Sequence, residues 1–206
     1  MQVQLDLYNS GKHPGNDADT IQTIKMVTEQ NERLSKMVKT LLDMSELQTV
    51  GRDETIIVNA LIDEVLADLE PLAQEKNIKL IGKCKDVNMV GSDILIYRLV
   101  YNLVENAIKY NHSGGQVSVE AYQREKQVYL SVKDTGNGIP EELKERVFEP
   151  FFRVDKSRSR ELGGVGLGLA LVNEIVRVHD GSIAIRPNPS GGTIIEVEFS
   201  VNRTTA

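Results

Sequence analysis

Asn102, Asn106, Lys109 and Tyr110 recur at spacings of three and four within Asn102-Leu103-Val104-Glu105-Asn106-Ala107-Ile108-Lys109-Tyr110, so on a helix they share one side. An amide oxygen is a hard, neutral donor suited to Mg²⁺, which keeps most of its shell as water and phosphate oxygen. Lys109 supplies a point charge for phosphate. Two glycine clusters follow, Asp134-Thr135-Gly136-Asn137-Gly138-Ile139-Pro140 and Gly163-Gly164-Val165-Gly166-Leu167-Gly168-Leu169. In the first, a carboxylate at a strand end can accept from the exocyclic amine of a base, and Gly136 and Gly138 leave room for a flat ring. The second runs into a predicted helix start, where backbone N–H groups favour an anionic phosphate.

Between the clusters, Phe148-Glu149-Pro150-Phe151-Phe152-Arg153 leads into Lys156, Arg158 and Arg160. Four basic residues at positions 153 to 160 of a chain with net charge −6 suggest a lid that meets phosphate. Phe148, Phe151 and Phe152 are three of its four phenylalanines, and are expected to pin that lid to the core. Each feature has a plainer reading: a polar helix face, a tight turn for which Asp-Thr-Gly-Asn-Gly is good material, and a solvated basic loop. Their order and spacing make a nucleotide site the leading reading.

The elements that must position these residues are legible in outline. The polar cluster Asn16-Asp17-Ala18-Asp19-Thr20 suits a helix start, and no Gly or Pro follows until Gly51. Ile24, Val27, Leu34, Val38 and Leu41 form an apolar stripe widened by Met37, Leu42, Met44 and Leu47, while Asn31 and Ser45 interrupt it. The pattern is that of a helical bundle rather than a strict two-stranded coil. Gly11-Lys12-His13-Pro14-Gly15 reads as a turn before this helix.

Past Gly51 short strands and helices alternate: a strand at Thr55 to Val58, then a helix capped by Asn59 and running to about Lys76. Strands are expected at Ile78 to Ile81 and Val87 to Val90, with Ser92 capping the asparagine helix. Val117 to Tyr122 and Val128 to Lys133 alternate with period two around a charged turn, a hairpin signature. A further helix spans about Gly166 to His179 and closes at Gly181. Ile183 to Ile185 and Thr193 to Phe199 make a last hairpin. The expected class is α+β, a two-layer sandwich of a mixed β-sheet and helices, preceded by a long helix of a helical hairpin. The expected division is residues 1–50 for the hairpin remnant and 51–206 for the nucleotide-binding domain.

Composition bounds the function. The 206 residues, 40% hydrophobic and 26% charged, suffice for one good core with a helical appendage. A net charge of −6 argues against a general nucleic-acid partner. The lone Cys84 excludes an internal disulfide. No stretch approaches the roughly 20 apolar residues that span a bilayer. The expectation is a cytoplasmic domain, compatible with a longer membrane-bound parent. His13, His112 and His179 have no partners at metal-ligand spacing and are expected to be structural or exposed, with a cationic imidazole favoured at His179 near a helix C-terminus.

Together these motifs resemble the catalytic and ATP-binding domain of bacterial two-component sensor histidine kinases, within the wider superfamily that includes gyrase, the Hsp90 chaperone and MutL. Asn102 to Tyr110 resembles the asparagine box, Asp134 to Gly138 the first glycine box, Phe148 to Asp155 the phenylalanine box, and Gly164 to Leu169 the second glycine box. Gly191-Gly192-Thr193 is similar to the family's last hairpin. The resemblance implies ATP and Mg²⁺ as ligands. It implies that Asp134 binds the base amine, that Asn106 holds Mg²⁺, that Asn102 and Lys109 act at the phosphates, and that Tyr110 flanks the nucleotide. Arg153, Lys156 and Arg158 would come from the lid, while Gly136, Gly138, Gly164, Gly166, Leu167, Gly168 and Thr193 would complete the nucleotide cradle.

Residues 20–48, notably Arg33-Leu34 and Leu41-Leu42-Asp43-Met44-Ser45, resemble the second helix of the family's dimerisation and phosphoacceptor hairpin. The phosphoacceptor box, a histidine with an acid and Arg-Thr-Pro, is absent and is expected to lie before Met1, and His13 falls in the wrong place to replace it. The implied partners are a response regulator and, through the hairpin, a second copy in the parent. Three alternatives stand beside this reading. A gyrase-type hydrolase would need a glutamate four residues before Asn106, where Asn102 stands. A serine kinase of the anti-sigma-factor type shares the fold but not the long helix. In a non-enzymatic dimerisation module, the nucleotide site would be a relic.

Overall fold

The computed structural model describes residues 17–154 and 165–201. Helix α1 spans Asp17–Glu46, β1 Glu54–Ile57, α2 Val58–Glu75, β2 Lys79–Cys84, β3 Asn88–Gly91, α3 Asp93–Lys109, β4 Gln116–Arg124 and β5 Gln127–Asp134. Then come α4 Gly168–Val178, β6 Ser182–Pro187 and β7 Thr193–Ser200. Strands β2-β4-β5-β7-β6 make one five-stranded sheet, with β2 parallel to β4 and every other pair antiparallel; β1 and β3 pair separately. The expected mixed sheet with helices is therefore present.

Period-two alternation sets the inner face of the sheet. Val117, Val119 and Ala121 of β4 are buried together with Val128, Leu130 and Val132 of β5 and Ile195, Val197 and Phe199 of β7. Against them α3 buries Leu95, Ile96, Leu99, Val100, Leu103, Val104 and Ile108, an apolar stripe at helical spacing. At roughly 2–5 kcal/mol lost per buried leucine truncated, this stripe holds α3 to the sheet. Most of the apolar stripe of α1 stays exposed, from Ile24 at 60% to Leu41 at 48%. Its end turns inward: Leu47 lies in the core, and Met44 and Val50 pack on it.

Helix ends depart from expectation in three places. Val58 begins α2, so Asn59 lies inside its first turn and its Nδ2 donates to Asp86 Oδ1 at 3.4 Å instead of capping. Ser92 is the N-cap of α3, but its side chain makes no capping bond. Its backbone N–H donates to His179 Nε2 at 3.1 Å. At the end of α4 the left-handed residue is Asp180, φ 55°, rather than Gly181. Gly181 N–H donates to Val176 O at 3.0 Å and Asp180 N–H to Arg177 O at 3.1 Å, a Schellman closure. Gly181 answers a packing need, because a Cβ there would stand 2.7 Å from Glu198 O.

His179 itself is buried. Its Nε2 accepts from Ser92 N–H, so Nδ1, 2.8 Å from Ile175 O, must carry the proton. The ring is neutral, which corrects the expected cation: Nδ1 anchors the ring to its own helix at Ile175, and Nε2 ties the end of α4 to the start of α3. His112 is exposed, and His13 lies outside the described residues. Replacing His179 with Ala strands a buried N–H and opens a void. It should lower the unfolding free energy in urea by about 2–4 kcal/mol.

Candidate functional site

The polar side of α3, the turn after β5, the start of β7 and the start of α4 surround a cavity of about 390 Å³, inside the range of about 300–1,000 Å³ common for small-molecule sites. Leu103, Val132, Ile139, Val147, Leu167 and Ile195 give it apolar walls suited to a flat ring. Of the candidate site residues, Asn102, Asn106, Lys109, Tyr110, Asp134, Gly138, Arg153, Gly166, Leu167, Gly168 and Thr193 all line it. Gly136 is not in the lining, but its N–H bonds Asp134. Lys156, Arg158 and Gly164 lie outside the described residues.

Asp134 ends β5, where the antiparallel pairing with β4 stops at Val117. Its Oδ1 accepts from Gly136 N–H at 2.8 Å and Thr193 N–H at 3.2 Å. Oδ2 has no hydrogen bond among the described residues and remains available as an acceptor. Burial pushes the carboxyl above its ordinary value, and the two N–H donors pull it back in part. The turn is braced beside it. Thr135 Oγ1 accepts from Gln116 N–H at 2.9 Å, and Asn137 N–H donates to Tyr110 O at 3.3 Å. Gly136 lies so close to the Tyr110 carbonyl and the Asn111 backbone that a Cβ would collide. Gly138 has φ 74°.

On α3, Asn102 Nδ2 donates to Arg98 O at 2.7 Å. That bond fixes the amide, whose Oδ1 stands 3.0 Å from where a Cβ on Gly168 would be. Lys109 Nζ lies 2.7 Å from Glu105 Oε1, and both side chains are mostly buried. Glu105 also lines the cavity, although it was not among the residues singled out from the sequence. Its one-turn spacing to Lys109 was the available signal.

The lid segment is held by backbone as well as by rings. Phe151 N–H donates to Gly166 O at 2.8 Å, and Gly166, with φ 80°, faces Phe152 O so closely that a Cβ would stand 2.7 Å from it. Phe152 lines the cavity, its ring under the Arg146 guanidinium at 4.4 Å. Phe151 is 52% exposed, so the expectation that all three phenylalanines pin the lid fails at Phe151, and Val147 is the buried anchor. Leu167 is the N-cap of α4 with no side-chain capping bond. The start of that helix faces the cavity with its N–H groups and positive dipole end. Thr40 of α1 also lines the cavity, and Asp43 one turn nearer the core pairs with Arg98 at 2.8 Å. No pattern in the sequence pointed to Thr40, because its reach depends on how α1 docks.

Residues 91–203 match the sequence model of the histidine kinase-, DNA gyrase B- and HSP90-like ATPases. The sensor-like histidine kinase SenX3 of Mycolicibacterium smegmatis is 36% identical over 183 residues, covering 86% of this chain and 47% of that protein. The chain spans less than half the length of the curated relatives it matches. Among solved structures, the catalytic domain of histidine kinase ThkA superposes with a TM-score of 0.66 at 28% identity, over 73% of this chain and 97% of that one. ThkA in complex with the response regulator protein TrrA superposes at 0.77 with 25% identity, over 97% of this chain and 57% of that one.

The raised carboxyl of Asp134 has a consequence for stability. A folded-state value above the unfolded one means the residue contributes most at low pH, and that contribution is lost as pH rises through the folded value. Asn at 134 keeps an acceptor for both N–H groups and carries no buried charge. Asp134→Asn should therefore unfold no earlier than wild type at pH 7 without ligand. Its advantage should shrink as pH falls toward the ordinary carboxyl value, as followed by thermal melts across pH.

Proposed function

Because the chain belongs to the histidine kinase-, DNA gyrase B- and HSP90-like ATPase family, we propose that it is the ATP-binding catalytic part of a sensor histidine kinase, transferring the γ-phosphoryl group of ATP to a histidine. The observation that carries the reading is Asp134: a carboxylate at the wall of an apolar cavity, one oxygen held by two backbone N–H groups and the other left to accept. That arrangement suits the 6-amino group of adenine, with the ring between the apolar walls and Tyr110 alongside.

The phosphates then extend along α3 toward the start of α4. Lys109 and Asn102 meet them there, Gly166 and Gly168 allow close backbone approach, and Arg153 adds charge from the lid. Lys156, Arg158 and Gly164 are assigned to the same lid by their sequence positions. No group of three His, Cys, Asp or Glu side chains that could cage a metal occurs among the described residues. A single amide oxygen at Asn106 suits Mg²⁺, which takes most of its shell from water and phosphate. When bound, Mg²⁺ supplies charge neutralisation at the phosphate oxygens. The protein's own share is positioning: a fixed amide at Asn102, an anchored lysine at Lys109 and an apolar-walled pocket.

The exposed stripe of α1, with Ile24, Leu34 and Val38 each more than half exposed, supports assigning residues 1–50 to a hairpin that self-associates in the parent and residues 51–206 to the catalytic domain. A response regulator is the proposed recipient of the phosphoryl group, as the ThkA complex with TrrA suggests for a similar chain. No described helix is long and apolar enough to cross a membrane. We assign the chain to the cytoplasmic side of a membrane-anchored parent.

Calorimetric titration with ATP, with and without Mg²⁺, tests the site. Wild type should bind saturably and Asp134→Asn should lose at least about 100-fold in affinity, roughly 2.7 kcal/mol, while staying folded. Asn106→Asp should change the Mg²⁺ dependence more than the affinity for the base. Wild-type affinity in Asp134→Asn would contradict the adenine assignment. For the reaction, γ-labelled ATP is offered with a helical hairpin presenting a phosphoacceptor histidine; acid-labile label on that hairpin is the expected result. Phosphate release without transfer would favour a gyrase-type hydrolase, and acid-stable label on serine a serine kinase.

A further inference from the structure

Asn188, in the turn between β6 and β7, is outside the cavity lining and was assigned no role by its sequence motif. Three of its groups build the turn. Its N–H donates to Gly192 O at 3.1 Å, its carbonyl accepts from Gly191 N–H at 2.9 Å, and its Oδ1 accepts from Ser190 N–H at 3.1 Å. The fourth leaves the turn: Nδ2 donates to the backbone carbonyl of Asp134 at 2.6 Å, 54 positions away in sequence.

That bond acts where position matters. Gly192, φ 86°, is pressed so closely on Asp134 O, Asp134 Oδ1 and Gly136 N that no Cβ fits. The next residue, Thr193, gives its N–H to Asp134 Oδ1. Which carboxylate oxygen is occupied, and which is left for a ligand, thus depends on how firmly the turn sits against Asp134. Without the Nδ2 bond the turn can withdraw Thr193 N–H, and the carboxylate is then free to rotate or to take up water. The asparagine amide carries, on two separate atoms, both the acceptor that Ser190 uses and the donor that Asp134 uses.

We propose that Asn188 is a positioning residue for base selection: its amide clamps the β6–β7 turn onto Asp134, so that preference for a 6-amino purine depends on a side chain that does not touch the base. The proposal rests on the reading of Asp134 as the adenine acceptor.

Two variants separate clamp from turn. Asn188→Asp retains an oxygen for Ser190 N–H but sets an oxygen against Asp134 O, whereas Asn188→Ala removes both interactions. Affinities for ATP and for inosine triphosphate, which carries a 6-oxo group, are measured by calorimetry on the full chain, with thermal melts alongside. Wild type should prefer ATP by about 100-fold or more, as expected of a site built to bond a substrate amine. In Asn188→Asp that preference should fall at least about 10-fold while the chain remains folded. An ATP preference equal to wild type in both variants, or parallel loss of both nucleotides, overturns the proposal and leaves the Asp134 assignment standing. A wild type that does not distinguish the two nucleotides contradicts the Asp134 assignment itself, and the proposal falls with it.

Discussion

Two stretches of chain far apart in sequence meet at one oxygen atom, Asp134 Oδ1: the end of β5 with the glycine turn that follows it, through Gly136 N–H, and the start of β7, through Thr193 N–H. Much of the site's geometry follows from satisfying that atom. A half-buried carboxylate is costly unless bonded, and two backbone donors offset the cost without using both oxygens. The donors reach it only because Gly136 and Gly192 let the backbone approach where a Cβ would collide. Bracing from Thr135 and Asn137 then locks the turn onto β4 and onto the end of α3.

Helix α3 carries the complementary constraint. Its apolar side is buried against the sheet, which leaves the opposite side little freedom to rotate, and that side presents Asn102, Asn106 and Lys109 to the cavity. Local bonds refine the aim: Arg98 O holds the Asn102 amide and Glu105 holds Lys109. At its start, α3 is tied through Ser92 N–H to the neutral His179 at the end of α4. The two helices that line one side of the cavity, α3 with its polar face and α4 with its start, are thus linked at their far ends as well as around it. The Asp43–Arg98 pair extends the linkage to α1, since Arg98 lies one turn from Asn102.

The elements with strong periodicity were legible in the sequence, among them the β4–β5 hairpin, the asparagine helix and the long α1. So were the cavity residues whose types carry chemistry, because amide, carboxylate, lysine and glycine each have few uses in that order. What sequence left obscure depends on long-range closure. Asn59 and Ser92 look like side-chain caps, yet the first was drawn into α2 and the second had its N–H claimed by a histidine 87 positions away. His179 suited a helix-end cation until burial between two helices made a neutral ring the one consistent with its bonds. Phe151 had the composition of an anchor, but a left-handed backbone, φ 66°, and the bond to Gly166 O turn it outward. The role of Asn188 is hidden in the sequence because its decisive bond is to a residue that only the fold brings near.

The proposed site stands or falls on whether Asp134 receives the amine of adenine. A crystal structure of the chain soaked with ADP addresses it most directly. The purine should lie between the apolar walls, with its 6-amino nitrogen about 3 Å from Asp134 Oδ2 and the diphosphate running along α3 toward Gly168. A purine bound elsewhere, or one entering with its sugar rather than its amine at Asp134, would contradict it.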